Sequence, residues 1–435
     1  MDFRLVSTPD QLAHAGAQLL DLGSGPLAVD TERAGTYRYN DRAFLIQVRR
    51  AGAGTFLIDP VDHPREVRAL GARLAPIPWL LHAGHTDLPS LVEAGWAPTS
   101  FRDTQLAAAL LGHRQLGLAG LVQWYTGTVL TKNRGQEDWS RRPLPEQWLR
   151  YAALDVEYLL PLHDILADQL QRANRWEWYL QECNHALHTH GHGLPEPQWQ
   201  RMKGLSSLRS ARSRAIARAL FETRTRLARQ ADLPPEAVLH SKDIAYIAAR
   251  PAESRERLRE VLSRLSAQVG PPRLRQRNGR QRALLRRHGE ELRQALATAL
   301  TLPDDELPSF TGATPTAGTP APDQQHGYPD VRTWDRDYPE AARCYTALTE
   351  SLGHCAEHLD LDPALLLSAK DRRGIAWRWG QQRTTLTDPD AAWPAQSADP
   401  IGDVEELLGV LAQQRGVRPW QINLLLDATI PSVLA

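Results

Sequence analysis

PLAVDTERAGTYRYNDRAFLIQVRRAGAGTFLID, residues 26–59, holds three short apolar runs in close succession, PLAVD, AFLIQV and TFLID. Each is rich in Val, Ile, Leu or Phe, and Gly-, Asn- and Asp-bearing segments separate them, so they read as strands. PWLLHAG, residues 78–84, is a fourth candidate. Helical patterns follow in DLPSLVEAG, in DTQLAAALLG, and from PEQWLR through LLPLHDILADQL. Strands first and helices after predict a mixed sheet flanked by helices over roughly the first 165 residues.

The same stretch carries the first chemistry. Asp30 and Glu32 follow the apolar Leu27, Ala28 and Val29, with one residue between them. Positions i and i+2 of a strand point to one side of the sheet, so both carboxylates can face one site. Two like charges that close repel, and burying them unpaired is costly. A divalent cation removes the conflict. A strand end running into a solvated loop is the other reading of DTE. Asp87, in HAGHTDLPSL, follows the fourth strand candidate, where a helix N-cap is its ordinary use. In YAALDVEYLL, residues 151–160, Asp155 interrupts a face otherwise suited to burial, and Tyr151 lies one helical turn before it. If that face meets Asp30, Glu32 and Asp87, four carboxylates and a phenol converge. An all-oxygen set of that size suits two Mg²⁺ or Mn²⁺ ions rather than zinc. Such a pair can hold the attacking and leaving oxygens of an in-line phosphoryl displacement.

Asp30-x-Glu32, Asp87 and Tyr151-x-x-x-Asp155 together resemble the tyrosine-bearing branch of the DEDD 3′→5′ exonuclease superfamily, and ribonuclease D within it. AVDTER with FLIQV after it, DTQLAAALLG, DWSRRPLPEQWLRYAALDVEYLLPL and WEWYLQEC carry the likeness over most of residues 20–185. The run WQRMKGLSSLRSARSRAIARALFETRTRLARQADLPPEAVLHSKDIAYIAARP is similar to the helicase-and-ribonuclease-D C-terminal (HRDC) domain. LLLSAKDRRGIAWRWG and RPWQINLLL resemble a more divergent second module of that kind. The resemblance implies a ribonuclease H-like α/β exonuclease domain over residues 1–195, an HRDC domain over 196–300, a linker over 301–330 and a second HRDC-like domain over 331–435. It implies metal ligation by Asp30, Glu32, Asp87 and Asp155. Asp30 would bridge two cations, Glu32 and Asp155 would hold the one that activates water, and Asp87 the one near the leaving 3′-oxygen. Tyr151 would orient the water, since a phenol with pKa about 10 is a poor base at neutral pH. The implied activity is release of 5′-mononucleotides from RNA 3′ ends, on transfer-RNA precursors and other small structured RNAs. The same chemistry on DNA, or RNA binding without catalysis, are the alternatives.

Composition sets outer bounds. A chain of 435 residues with 42% hydrophobic content should form two to four units, and a monomer is expected. It has no apolar run of about eighteen residues that could span a membrane. MDFRLVSTPDQLAHAG lacks the basic flank and apolar core of a signal peptide. Cys183, Cys344 and Cys355 are too few and scattered for a disulfide framework, so a reducing cytoplasm is the expected setting.

A net charge of zero hides a division. Residues 201–300 carry a net +14, residues 301–435 a net −10 and residues 1–200 a net −4. The basic block suits a polyanion such as RNA; a solvated arginine-rich surface is the plainer reading. Arg209, Arg212, Arg273, Arg275 and Arg277 within it, and Arg141 and Arg142 in DWSRRPL, are the candidate phosphate contacts. Trp139 suits a packing plug, and Gln47 a hydrogen-bonded sheet residue. TLPDDELPSFTGATPTAGTPAPDQQHGYPD has no periodicity that could build a core. The remainder, from about Val331, reads as helical with a core of its own. His185, His188, His190 and His192 lack the paired spacing of a structural zinc site.

Overall fold

The computed structural model describes residues 2–130, 134–267, 271–308, 328–385 and 416–428. The first part runs β1 (Phe3–Val6), α1 (Pro9–Ala17), β2 (Ser24–Arg33), β3 (Ala43–Ala51), β4 (Gly54–Ile58), α2 (Pro64–Leu74), β5 (Trp79–Leu81), α3 (Leu88–Glu93), β6 (Phe101–Asp103), α4 (Thr104–Leu110), α5 (Leu118–Thr126), α6 (Glu146–Glu157), α7 (Leu159–Arg172) and α8 (Trp176–His190). The six strands form one mixed sheet in the order β1-β4-β3-β2-β5-β6. β2–β3 and β3–β4 are antiparallel; β1–β4, β2–β5 and β5–β6 are parallel. β3 and β4 are joined through Gly52 at φ +82, where a Cβ would stand 2.6 Å from the Leu22 carbonyl oxygen. Only glycine fits there.

Period-two alternation sorts the side chains between the two faces. Leu27, Val29, Ile46, Val48, Phe56 and Ile58 join the core beneath α1 and α2. Leu45 and Leu57 turn the other way, onto Ala152 and Ala153 of α6. The four strand candidates are all strands, but β1 and β6 are additions. At four and three residues they are too short to show a period. β5 pairs with β2 only at Leu27–Trp79 and Ala28–Leu80. Beyond that point the edge of β2 lies open beside Asp30, and a loop takes the place of a strand there.

A second group of helices follows: α9 (Ala211–Ala231), α10 (Pro235–Val238), α11 (Ser241–Ala248), α12 (Ser254–Ala267) and α13 (Arg275–Thr301). It has its own core of Ile216, Leu220, Leu227, Ile244, Ile247 and Leu292, among others. Arg224 is buried there, and its guanidinium donates to Glu236, Ser241 and the Leu239 carbonyl. The last group is α14 (Trp334–Asp337), α15 (Pro339–His358), α16 (Pro363–Leu366), α17 (Ala369–Thr385) and α18 (Pro419–Ala428).

The expectation of a separate C-terminal core needs correction. Tyr328, Trp334, Ala341, Cys344 and Ala376 do form a small cluster of their own. Leu348, Leu352, Leu361, Leu366, Trp420 and Leu425 instead extend the apolar core of the first part. Trp420 stacks on Trp178 of α8 with centroids 4.8 Å apart. Arg418 and the Trp420 indole both donate to Glu182 of the same helix, at 2.6 and 2.7 Å. α18 packs on α8, and periodicity cannot name the surface that receives such a helix. Among the described residues no helix is long and apolar enough to cross a membrane.

Candidate active site

Asp30 and Glu32 lie on the side of β2 that faces α6. Their ladder partners on β3 are Gln47 and Leu45, and directly opposed residues project to the same face. α6 packs across β2, β3 and β4 and brings Tyr151 and Asp155 to that side. The Tyr151 hydroxyl donates a hydrogen bond to the Asp155 carboxylate. Asp87 arrives past the open edge of β2, in the residue before α3. It is no N-cap in the bonding sense, since its side chain accepts no helix N–H. Instead it accepts from the Thr31 hydroxyl at 2.5 Å and the Thr86 hydroxyl at 2.9 Å.

The approach of Asp87 is fixed from behind by Asp103. This buried carboxylate accepts from the N–H groups of Ala83 and Gly84 at 3.0 and 2.7 Å, and from those of Gln105 and Leu106 at the start of α4. One side chain thus caps α4 and ties down the loop that ends at Asp87. Ala83, at φ +54, sits in the left-handed region that this loop demands.

Electrostatics confirm that the four carboxylates share one space. Burial, then Asp87, Asp155 and Glu32 in turn, raise the pKa of Asp30 well above the ordinary range. Burial, Asp155 and Asp87 do the same to Glu32. Asp87 is raised by burial, against the lowering pull of Arg33 and its two hydroxyl partners. Asp155 is pushed up to about 7 by burial, although the Tyr151 hydrogen bond opposes this. The Tyr151 phenol is pushed up as well, by burial and by Asp155, Glu32 and Asp30. Arg33 is the cation acting on Asp30, Glu32 and Asp87; its Nη atoms lie 3.8 Å from Asp87 and 3.6 Å from Asp41.

Among the described residues no three His, Cys, Asp or Glu side chains are already drawn together as a coordination cage. The donor chemistry, four carboxylates with raised proton affinity and no sulfur or imidazole, is that of a hard divalent cation site. A cleft of about 290 Å³ opens beside it, lined by Glu32, Arg33, Gly35, Thr36, Asp41 and Glu137 among others.

The candidate arginines divide. Arg142 uses all five N–H donors within the protein: Asp59 at 2.6 and 2.7 Å, and the carbonyls of Phe44, Trp139 and Arg141. It is a clamp, with none left for a phosphate, and Trp139 beside it is fully buried. Arg212 donates to the carbonyls of Ala299 and Leu302 and to Asp304, closing the end of α13. Arg277 reaches the Thr36 carbonyl, and Arg273 the Gln136 side chain, so the start of α13 meets the rim of the cleft. Arg141, Arg209 and Arg275 are exposed.

Sequence reasoning missed Thr31, Arg33, Thr86 and Asp103, all of them partners of the loop or the carboxylates. Thr31 and Arg33 stood in the quoted DTER as spacers, and nothing local marks their contacts. Gln47 departs from its expectation: it is fully buried, and among the described residues its amide has no hydrogen-bond partner at either end.

Known proteins resemble this chain in sequence and in fold. A family model described as a 3′-5′ exonuclease matches residues 3–171, and one described as a 3′ to 5′ exonuclease C-terminal domain matches residues 327–432. The chain is 28% identical to Ribonuclease D of Musicola paradisiaca over 385 residues, 87% of this chain and 91% of that one. It is 31% identical to Ribonuclease D of a Jannaschia species over 312 residues, 70% of this chain and 76% of that one. Among solved structures it resembles Escherichia coli RNase D, titled an exoribonuclease involved in structured RNA processing. The TM-score is 0.63 at 25% identity, over 95% of this chain and 100% of that one. On the fold, the convergence of acids and these likenesses, the chain belongs to the ribonuclease D family.

Proposed function

We propose that the protein is a divalent-cation-dependent 3′→5′ exoribonuclease that releases 5′-mononucleotides from the 3′ ends of transfer-RNA precursors and other structured RNAs. One observation carries the reading: at the side of a solvent-open cleft, Asp87, Asp155 and Glu32 raise the proton affinity of Asp30, Asp155 and Asp87 that of Glu32, and Asp87 that of Asp155. Asp30, Glu32, Asp87 and Asp155 are the ligands in this reading, for two Mg²⁺ or Mn²⁺ ions. Bound there, the cations supply Lewis acidity and neutralise charge building on the phosphoryl oxygens. Water attacks the terminal phosphorus, the 3′-oxygen of the penultimate nucleotide leaves and takes up a proton, and a nucleoside 5′-monophosphate departs.

The chain's own groups orient that attack. With its pKa raised, Tyr151 keeps its proton at neutral pH, so it donates a hydrogen bond and does not act as a base. Thr31, Thr86 and Arg33 hold Asp87 at the edge of β2. Residues 196–300 serve as the HRDC-type RNA-binding module, and residues 331–435 as a second, docked one. Arg273 and Arg275, at the start of α13 by the cleft rim, guide the strand, with Arg141 and Arg209 on exposed surface as further phosphate contacts. The test is digestion of a 3′-extended transfer RNA and a sequence-matched DNA strand, with Mg²⁺ and with EDTA, identifying the products. Mononucleotides from RNA in Mg²⁺ alone are expected. Release in EDTA, or oligonucleotide products, would overturn the reading.

A further inference from the structure

Gln47 faces the acid cluster from β3 and has no part in the proposed reaction. It sits on β3, opposite Asp30 in the β2–β3 ladder, so the two side chains leave the sheet on the same face with Cβ atoms about 5 Å apart. On its other side it is paired with Leu57 of β4. Leu45, two residues before it, and Leu57 pack on α6 as apolar core. The pattern of the strand therefore calls for a leucine or valine at this position. A carboxamide stands there instead, fully buried, with neither Oε1 nor Nε2 hydrogen-bonded to any of the described residues.

A buried amide unpaired at both ends costs free energy that an apolar side chain of similar size would not. Its neighbours across the ladder are Asp30 on β2 and Leu57 on β4, and Leu57 offers no polar side-chain group. What lies within its reach is the Asp30 carboxylate. With that carboxylate turned to cations, an N–H donor behind it becomes favourable. Carboxylates that hold metals are regularly fixed by such a donor, whose loss weakens binding or turnover about 10- to 100-fold.

We propose that Gln47 is a positioning residue for Asp30: its Nε2 donates to the Asp30 carboxylate when the site is loaded and sets which oxygens face the cations. This inference rests on the metal-dependent reading of the site.

The test compares wild type, Gln47→Met and Asp30→Asn by thermal unfolding across a Mn²⁺ titration, with RNA turnover measured in parallel. Methionine fills the space among Leu45 and Leu57 without a polar group. The expected result is a metal-free Tm of Gln47→Met equal to or above that of wild type, because an unpaired amide has gone. Its Mn²⁺ midpoint for stabilisation should rise at least about tenfold. kcat at limiting Mn²⁺ should fall in step while KM for RNA stays put. A lower metal-free Tm with an unchanged Mn²⁺ midpoint would overturn the proposal, making the amide a core residue. Failure of both Gln47→Met and Gln47→Leu to fold would overturn it on the same ground. A wild type that resembles Asp30→Asn in showing no Mn²⁺ response would instead sink the metal reading itself, and this inference with it.

Discussion

Asp155 and Tyr151 share a hydrogen bond in which the phenol is the donor, and both are harder to deprotonate than free side chains. Tyr151→Phe keeps the ring and removes the donor. Single-turnover cleavage should slow about 10- to 100-fold with metal response retained, a loss in the range of one positioned hydrogen-bonding group. A rate equal to wild type would remove the water-orienting role. Asp155 also makes a claim about stability. A carboxyl near 4 in the unfolded chain and about 7 in the metal-free fold is worth most below pH 4. That contribution is lost as pH rises through 7. In EDTA, then, the Tm of Asp155→Asn should climb relative to wild type between pH 5 and pH 8; a constant difference would contradict the raised pKa. The acids themselves were legible, because i, i+2 on a strand and i, i+4 on a helix are local geometries. Thr31, Arg33 and the unpaired amide of Gln47 were not, because their significance lies across β2, β3 and the Asp87 loop, far apart in sequence.

At the level of elements, the brevity of β5 and the bonding of Asp103 together decide where Asp87 stands. Asp103→Ala would release four N–H groups, two in the loop and two at the start of α4. With charge-assisted bonds of this kind worth about 1.5–3 kcal/mol each and partly replaced by water, a loss of about 3 kcal/mol is expected in urea denaturation. A change under about 0.5 kcal/mol would show that the loop is held otherwise. The helix from Thr104 was visible in TQLAAAL, but the strand ending at Asp103 was hidden. Three residues cannot display alternation, and Asp103 read as the helix start it also is. The long run from PEQWLR proved to be two helices, α6 and α7, divided at Tyr158. Apolar residues continue through the break, although α6 buries Leu149, Ala152 and Ala153 in one cluster and α7 buries Leu162, Leu166 and Leu170 in another.

Across the whole molecule, the charge division was legible in the sequence and docking was not. Within the basic block, half-buried guanidiniums such as Arg277 are already engaged while Arg275 faces solvent. Arg275→Gln should therefore lower the slope of log affinity for RNA against log salt by about one, at unchanged stability. Arg142→Ala should do the reverse, destabilising the fold by about 2–4 kcal/mol, as its five bonds are internal. Equal salt slopes for Arg275→Gln and wild type would discard the contact. The merging of α15 and α18 with the first part could not be read beforehand, because an amphipathic helix states that it needs a partner and not which one.

The Trp178–Trp420 stack and the Glu182 bonds make the end of the polypeptide a fastener for its beginning. Were the backbone severed between Leu307 and Tyr328, the two fragments should still co-elute on a sizing column, and separate only when Trp420 is truncated or Arg418 loses its charge.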